Sequence, residues 1–448
     1  MIRSHDSPGA LPNPAKSTKG TKMTLRKKTA TTAVLIVTSA LVLTACSGSG
    51  GSGGSTSETT ITFGMWDEAQ RPIYEAMFDD FTEKNPDITV EIQLTPWDNY
   101  WTKLQTAASG GSTPDIFWMN GANFPLYASS GVISPIQDQV EGSGFDLSPL
   151  PEGLQDLYTW EGELYTLPNN YDTVGVWYNS DLFDAAGLAY PQNGWTWEDY
   201  QRTAEALTDP AAGVWGTAAQ LSEHTAFYNT IYQAGGYVLS EDGTENGYNQ
   251  PEAQQGLQYW VDMLAEGSSP SLAQMADTDV GDLFMSGKIA MLYNGSWNAL
   301  TFSQSELGQA GAIAVAPLPE GPASNASIIH GLANVVSSKA SDPEAAYKLV
   351  EFLGSPAAAD IYTEGGVGFS GYESSNEALI AKYADSFDLT PFADAAETGI
   401  PFPRSKNSQV WMDLQVENLT PVWALEISAE EGASTLYTEM QEALDAER

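Results

Sequence analysis

The chain has 448 residues and a net charge of −40, and the imbalance deepens beyond the basic N-terminus, where 11 basic residues face 57 acidic ones from Cys46 onward. A polyanion needs clustered Lys and Arg to displace its counterions. Arg202 is the one basic residue between Lys103 and Lys288, so nucleic acid is excluded as a partner and anionic membrane surfaces are disfavoured. Aromatic residues make up 11 % of the chain, with 13 Trp, enough apolar area to offset ordering entropy, while a single cysteine excludes a disulfide framework and any multi-cysteine metal site.

An export signal begins at Met23, with Arg26-Lys27-Lys28, an apolar run from Ala33 to Leu43, then Leu43-Thr44-Ala45-Cys46. That run is short for a membrane span of ~20 residues and ends in small residues, as cleavage requires. Leu43-Thr44-Ala45-Cys46 resembles the bacterial lipobox, which implies lipidation of Cys46 and removal of residues 1–45; residues 1–22 are expected to carry no function. Residues 46–57 are a Gly/Ser tether with a reach of about 18 Å. The GxSxG match at Gly50–Gly54 has no preceding strand and no following helix, so it is not a hydrolase elbow.

Apolar alternation predicts strands over Ile61–Met65 and Val90–Leu94, and Ile73, Met77 and Phe81 predict a helix between them, closed by Asn85-Pro86. A helix over 99–108 leads to a third strand, Asp115–Met119. Strands separated by helices imply a parallel sheet, with ligands beyond the strands' carboxyl ends: Trp66-Asp67-Glu68, Thr95-Pro96-Trp97-Asp98 and Asn120–Asn123. Two strand-like segments, 164–168 and 174–179, are interrupted at Asn169–Asp172. Helices follow from Thr196, ending at Asp209-Pro210, and from Pro251, stopping near Gly267. Ser341-Asp342-Pro343-Glu344 reads as a capping box for a helix ending at Gly354.

The order of these segments resembles the family 1 extracellular solute-binding proteins of bacterial ABC sugar importers, the group of the maltose-binding protein. The resemblance covers nearly all of residues 58–448. It is carried by Trp66-Asp67 through Asn85-Pro86, Thr113–Asn120, Leu167-Pro168 through Phe183, Gly194–Asp199, Phe284–Met291 with Asn294-Gly295-Ser296-Trp297, and Pro317–Gly321. It implies an α/β fold of two lobes, each a mainly parallel sheet flanked by helices, joined by hinge strands and closing on a sugar. Crossings are expected near 170–173, 331–333 and 376–382, which gives lobes of 58–170 with 332–378 and 171–331 with 379–448.

Carried over by position, the family's pocket implies ligand contacts at Trp66, Asp67 and Glu68, at Trp118, Asn120 and Asn123, at Asp172, at Glu223 and His224, and at Gly331 in the second crossing. Trp297 and Trp411 fall at the family's stacking positions. No acid and no base follow Trp118, where maltose-binding proteins carry both, which argues against maltodextrin. Composition supports the same picture. Pyranose C–H faces pack on indoles, and hydroxyl rims need donors and acceptors. The negative charge favours a neutral solute over sugar phosphates. Trp177, Trp197 and Trp260 lie on strand or helix faces and are expected in the core. Neither a metal nor a cofactor is expected, since His224 and His330 have no clear third ligand. The expected protein is a monomeric, lipid-anchored receptor on the outer face of the membrane, partnered by ABC permease subunits and without enzymatic activity. An exported glycoside hydrolase and a surface carbohydrate adhesin remain open.

Overall fold

The computed structural model describes residues 58–240 and 242–448, so the export signal, the lipobox at Cys46 and the tether lie outside the described residues. Strands β1 (Thr59–Met65), β2 (Ile88–Leu94) and β3 (Ile116–Asn120) are parallel, in the order β2-β1-β3. All seven residues of β1 pair along β2, while Phe63 and Gly64 pair with Ile116 and Phe117. The helix Arg71–Lys84 joins β1 to β2 and buries Tyr74, Met77, Phe78 and Phe81, each such side chain stabilising the fold by about 1.5–3 kcal/mol. The helix Trp97–Gly110 joins β2 to β3 and ends where Gly111 turns left-handed, φ 65°.

After a small hairpin, β4 (Thr159–Trp160) with β5 (Glu163–Leu164), comes the long strand β6 (Asn170–Asn179). Strands β7 (Trp215–Thr217), β8 (Ile289–Gly295), β9 (Ile313–Ala316) and β10 (Ile328–Val336) follow, then the two-residue strands β11 (Phe369–Ser370) and β12 (Ile400–Pro401). β8 and β9 both run antiparallel to β6, and β7 runs parallel to β8. Each half of the molecule therefore has three co-directional strands and one long strand against them: β10 beside β3 in the first half, β6 beside β8 in the second.

These long strands are shared. β10 pairs with β6 from Ile329 to Leu332 and with β3 from Leu332 to Val336. β6 pairs with β10 over Asn170–Thr173 and with β8 over Val174–Tyr178. The segment Asn169–Asp172 is thus not an interruption, because strand β6 already runs from Asn170. Asn170 is satisfied in place: its Oδ1 accepts the Leu332 N–H at 2.9 Å and its Nδ2 donates to Tyr362 Oη at 3.0 Å.

Three large hydrophobic cores surround this arrangement, with a small fourth of Leu150, Ala359 and Tyr372. One holds Ile61, Phe63, Phe81, Trp118, Val335 and Leu349. The other two lie on opposite faces of β6, with Val174, Val176 and Tyr178 in one and Trp177 in the other, as strand alternation dictates. Trp177, Trp197 and Trp260 are buried in these two. Phe369 lies in the third core, yet Tyr372 packs with Leu150 and Ala359 and donates its hydroxyl to the Gly354 carbonyl, so the chain contacts both halves ahead of the expected crossing at 376–382. The helix Pro343–Leu353 is capped by Asp342, not Ser341: Asp342 Oδ1 accepts the Ala345 N–H at 3.1 Å, while the Ser341 N–H is committed to Asp115 Oδ1.

Candidate functional site

At the carboxyl ends of the parallel strands the chain presents an aromatic shelf. Trp66 follows β1 and is half-buried; Trp97 opens the helix after β2 and is 45 % exposed; Trp101 lies one turn further on. Trp66 meets Trp97 and Trp118 edge-to-face, with centroids 5.2 and 4.7 Å apart, and Trp101 at 5.9 Å. Such pairs add about 0.5–1.5 kcal/mol each beyond area burial, so the shelf is braced by its own packing. Beneath it Trp118, Asn169 and Asn334 face the buried Tyr74 hydroxyl without reaching hydrogen-bond geometry. Beside Trp66, Asp67 folds back on its own loop: Oδ1 accepts the Ala69 N–H at 2.8 Å and Oδ2 accepts Gln70 Nε2 at 3.0 Å. Glu68 is exposed and pairs with Arg71 at 3.5 Å.

A second cluster forms where β6, β8 and β10 meet. Asp172 and His330 are register partners, so their side chains emerge on one face of the sheet. Asp172 Oδ1 accepts the hydroxyl of Ser296, just past β8, at 2.7 Å. Desolvation pushes this carboxyl up to about 7, with the Ser296 hydrogen bond opposing it. The His330 ring lies 5.3 Å from His224, 5.7 Å from Trp297 and 5.2 Å from Phe402. Desolvation, then the neighbouring His224, hold the His330 imidazole well below the ordinary histidine range, so it is neutral, and its Nε2 is buried without a partner.

Glu223 opens a π-helical turn, Glu223–Phe227, a conformation frequent at functional sites. Its carboxylate lies 3.3 Å from His224 Nδ1. Desolvation raises the Glu223 pKa, but the hydrogen bond and charge of His224 outweigh it and leave the group below the usual range. Trp297 is half-buried and lies flat across Gly295, where an added Cβ would fall 2.0 Å from the indole; only glycine lets the ring take this position. Tyr362 lies within Coulombic reach of both Asp172 and Asp67, which links this cluster to the shelf.

None of these residues lines either of two open depressions among the described residues, ≈ 640 Å³ beside Tyr237 and Arg448 and ≈ 270 Å³ beside Gly194 and Thr398. Among the described residues no group of three or more His, Cys, Asp or Glu is placed to hold a metal ion, and no helix is long and apolar enough to cross a membrane.

The bacterial extracellular solute-binding proteins match residues 66–360 as a family. This chain belongs to that family. A maltodextrin-binding protein of Bacillus subtilis is 25 % identical over 353 residues, 75 % of this chain and 77 % of the relative. An arabinooligosaccharide-binding protein of the same organism is 25 % identical over 337 residues, 73 % and 76 %. An ABC substrate-binding protein of Listeria monocytogenes, solved in complex with cycloalternan, superposes with a TM-score of 0.80 at 28 % identity, covering 87 % of this chain and 99 % of that one. The two-lobe α/β architecture of the family is thus the architecture of this chain.

Against this frame the expected pocket residues separate. Asp172, Glu223, His224 and Trp297 come together around His330, from four segments far apart in sequence. Trp66 and Asp67 stand at the first strand's end. Asn120 and Asn123 bond each other, Asn120 Oδ1 accepting from Asn123 N and Nδ2, both at 3.0 Å. The Gly331 carbonyl is taken by the Tyr158 hydroxyl. Two expectations are corrected. Trp118 and Trp411 are 0 % exposed and have no free face for a ring to stack on. Trp118 sits inside a strand covered on both faces; Trp411 faces inward from the helix Ser408–Trp423 and donates Nε1–H to Ser405 Oγ at 2.8 Å.

Trp97 lies at one of the strand ends where the sequence places ligands, whereas Trp101, Ser296 and Phe402 are not singled out by it. Trp97-Asp98 repeats the Trp66-Asp67 signature after a strand, and that repeat is the signal that pointed to it. Ser296 and Phe402 have no sequence signal of their own, because their roles come from strand ends meeting in space.

Proposed function

We propose that this chain is a receptor without chemistry that captures a neutral mono- or oligosaccharide between two lobes, 58–170 with 332–378 and 171–331 with 379–448, and delivers it to an ABC permease. On this reading Cys46 carries the lipid that holds the receptor at the outer face of the membrane, with residues 46–57 as its tether. The observation that carries the proposal is the gathering of Trp297, Asp172, His224 and Glu223 around the strands common to both halves. A half-buried indole offers a face to pyranose C–H groups, and two carboxylates beside it accept hydroxyl hydrogens that would otherwise be buried at about 1–3 kcal/mol each. Relatives named for maltodextrin, arabino-oligosaccharides and cycloalternan support a carbohydrate ligand. The excess of 57 acids over 11 bases after Cys46 supports a neutral one.

Closure follows if the sugar contacts both lobes only when they meet, so that binding shifts the population toward the closed form. A micromolar dissociation constant requires about −8 kcal/mol, within reach of one or two stacked rings and several satisfied hydroxyls. A thermal-shift screen of mono- and oligosaccharides, followed by calorimetry of the hits, tests the reading. Trp297→Ala is expected to weaken a hit at least tenfold, about 1.4 kcal/mol, with the far-ultraviolet spectrum unchanged. Release of hydrolysis products, or tighter binding of sugar phosphates than of neutral sugars, would overturn it.

A further inference from the structure

Most basic side chains of the described residues are exposed, and five of them form ion pairs with nearby carboxylates. Arg404 does neither. It follows β12 by three residues, in a segment whose Phe402 ring packs on Tyr228 and His330, centroids 5.3 and 5.2 Å apart. From there its guanidinium reaches into the other half of the molecule. Nη2 donates to the Asp156 carbonyl at 2.8 Å, Nη1 donates to the Leu157 carbonyl, and Cζ stands 5.9 Å from the centroid of Phe124.

The two carbonyls are the last of the helix Glu152–Leu157. Carbonyls at a helix end have no partner inside the helix and carry the negative end of its dipole. Only a guanidinium offers a rigid fork that takes two such oxygens at once and a flat face that lies over an aromatic ring. The wall it grips borders the shared strand: a Cβ on Gly331 would fall 3.0 Å from Leu157 and one on Gly121 2.8 Å, while Tyr158 donates its hydroxyl to the Gly331 carbonyl. Main-chain oxygens hold a cation without requiring a second charge to be desolvated, which suits a contact that must break and reform.

We infer that Arg404 is a positioning residue that latches the two lobes together, holding the segment after β12 against the helix Glu152–Leu157 and thereby raising the closed population and slowing ligand release. The latch rests on the clamp reading above. It is tested without a ligand, on the chain with Cys46→Ser, by double electron–electron resonance between spin labels at Glu141→Cys and Glu266→Cys, two exposed helical positions, one in each half.

Arg404→Gln is expected to at least double the population at the longer distance. Arg404→Lys, which keeps the charge but not the fork, is expected to do so in part, and it carries the test should the Gln variant not fold. Distance distributions unchanged in both variants would overturn the latch. The sugar screen decides the clamp separately: if no mono- or oligosaccharide shifts the melting of the unaltered protein, the carbohydrate reading fails, whereas the latch stands or falls on the distances alone.

Discussion

Replacing Asp172 by Asn should make the protein more stable, and increasingly so as pH rises. The carboxyl is pushed up to about 7 from an ordinary 3.8, mainly by desolvation. A folded-state pKa above the unfolded one means that the folded chain holds a proton the unfolded chain has released between about pH 4 and 7. The group's contribution is therefore most favourable below pH 4 and is lost as pH rises through 7. With each unit worth about 1.4 kcal/mol, the raised carboxyl destabilises the fold by at most about 4 kcal/mol at pH 8, where it is ionised, and about 1.5 kcal/mol at pH 5, where the folded chain must take up a proton. Urea denaturation followed by tryptophan fluorescence, at both pH values, reads the difference. Asp172→Asn should gain up to about 2.5 kcal/mol more over the wild type at pH 8 than at pH 5. A pH-independent difference, or a wild type that gains on the variant as pH rises, would refute the reasoning. If Asp172 also accepts ligand hydroxyls, as proposed, the same variant should bind sugar more weakly while being more stable, the opposite of what a purely structural residue would do.

Two other substitutions separate core from pocket. Trp411→Ala should cost about 3–5 kcal/mol in denaturation free energy through the cavity it leaves, while ligand affinity in the folded protein changes less than threefold. Gly295→Ala places a methyl group inside the Trp297 ring position; it should destabilise by about 1–3 kcal/mol through overpacking and weaken sugar binding, measured by calorimetry, as much as Trp297→Ala does.

The first sheet was legible because its local signals agree. Alternation in β1 and β2, the four-residue apolar period of the intervening helix and the Asn85 stop all describe one βαβ unit. Position 169–172 was misread because Asn and Asp carry turn chemistry, and only the tertiary partners Leu332 and Tyr362 show that the Asn170 side chain is satisfied within a strand. Ser341 was misread for a related reason: two adjacent capping residues compete, and the Asp115 carboxylate, which collects N–H donors from Thr62 and Ser341, settles the competition through a contact 226 residues away in sequence. Trp411 shows the limit of composition, since an indole is as fit for a core as for a sugar. Its helix nevertheless held the answer. Trp411, Gln415, Leu419 and Val422 recur at spacings of three and four, all buried, which is the inward stripe of an amphipathic helix.

What separates pocket from core in this chain is where the local rules are broken at a cost. β6 is buried along Thr173–Asn179, and an apolar residue at 172 would continue that pattern; the strand instead carries a carboxyl that desolvation holds partly protonated. Directly across, β10 places a neutral imidazole with a buried, unpartnered Nε2. Neither group helps the fold, and both sit on the two strands that connect its halves, next to the one indole whose position a glycine exists to permit. Fold stability selects against such a set, and on the proposed function a ligand that satisfies it would account for its presence. A hydroxyl-rich neutral solute would do so on that reading, supplying donors to Asp172 and Glu223, a donor to His330 Nε2, and an apolar face to Trp297. On the same reading an anion would meet the carboxylates of Asp172 and Glu223 and the neutral His330, with His224 already paired to Glu223.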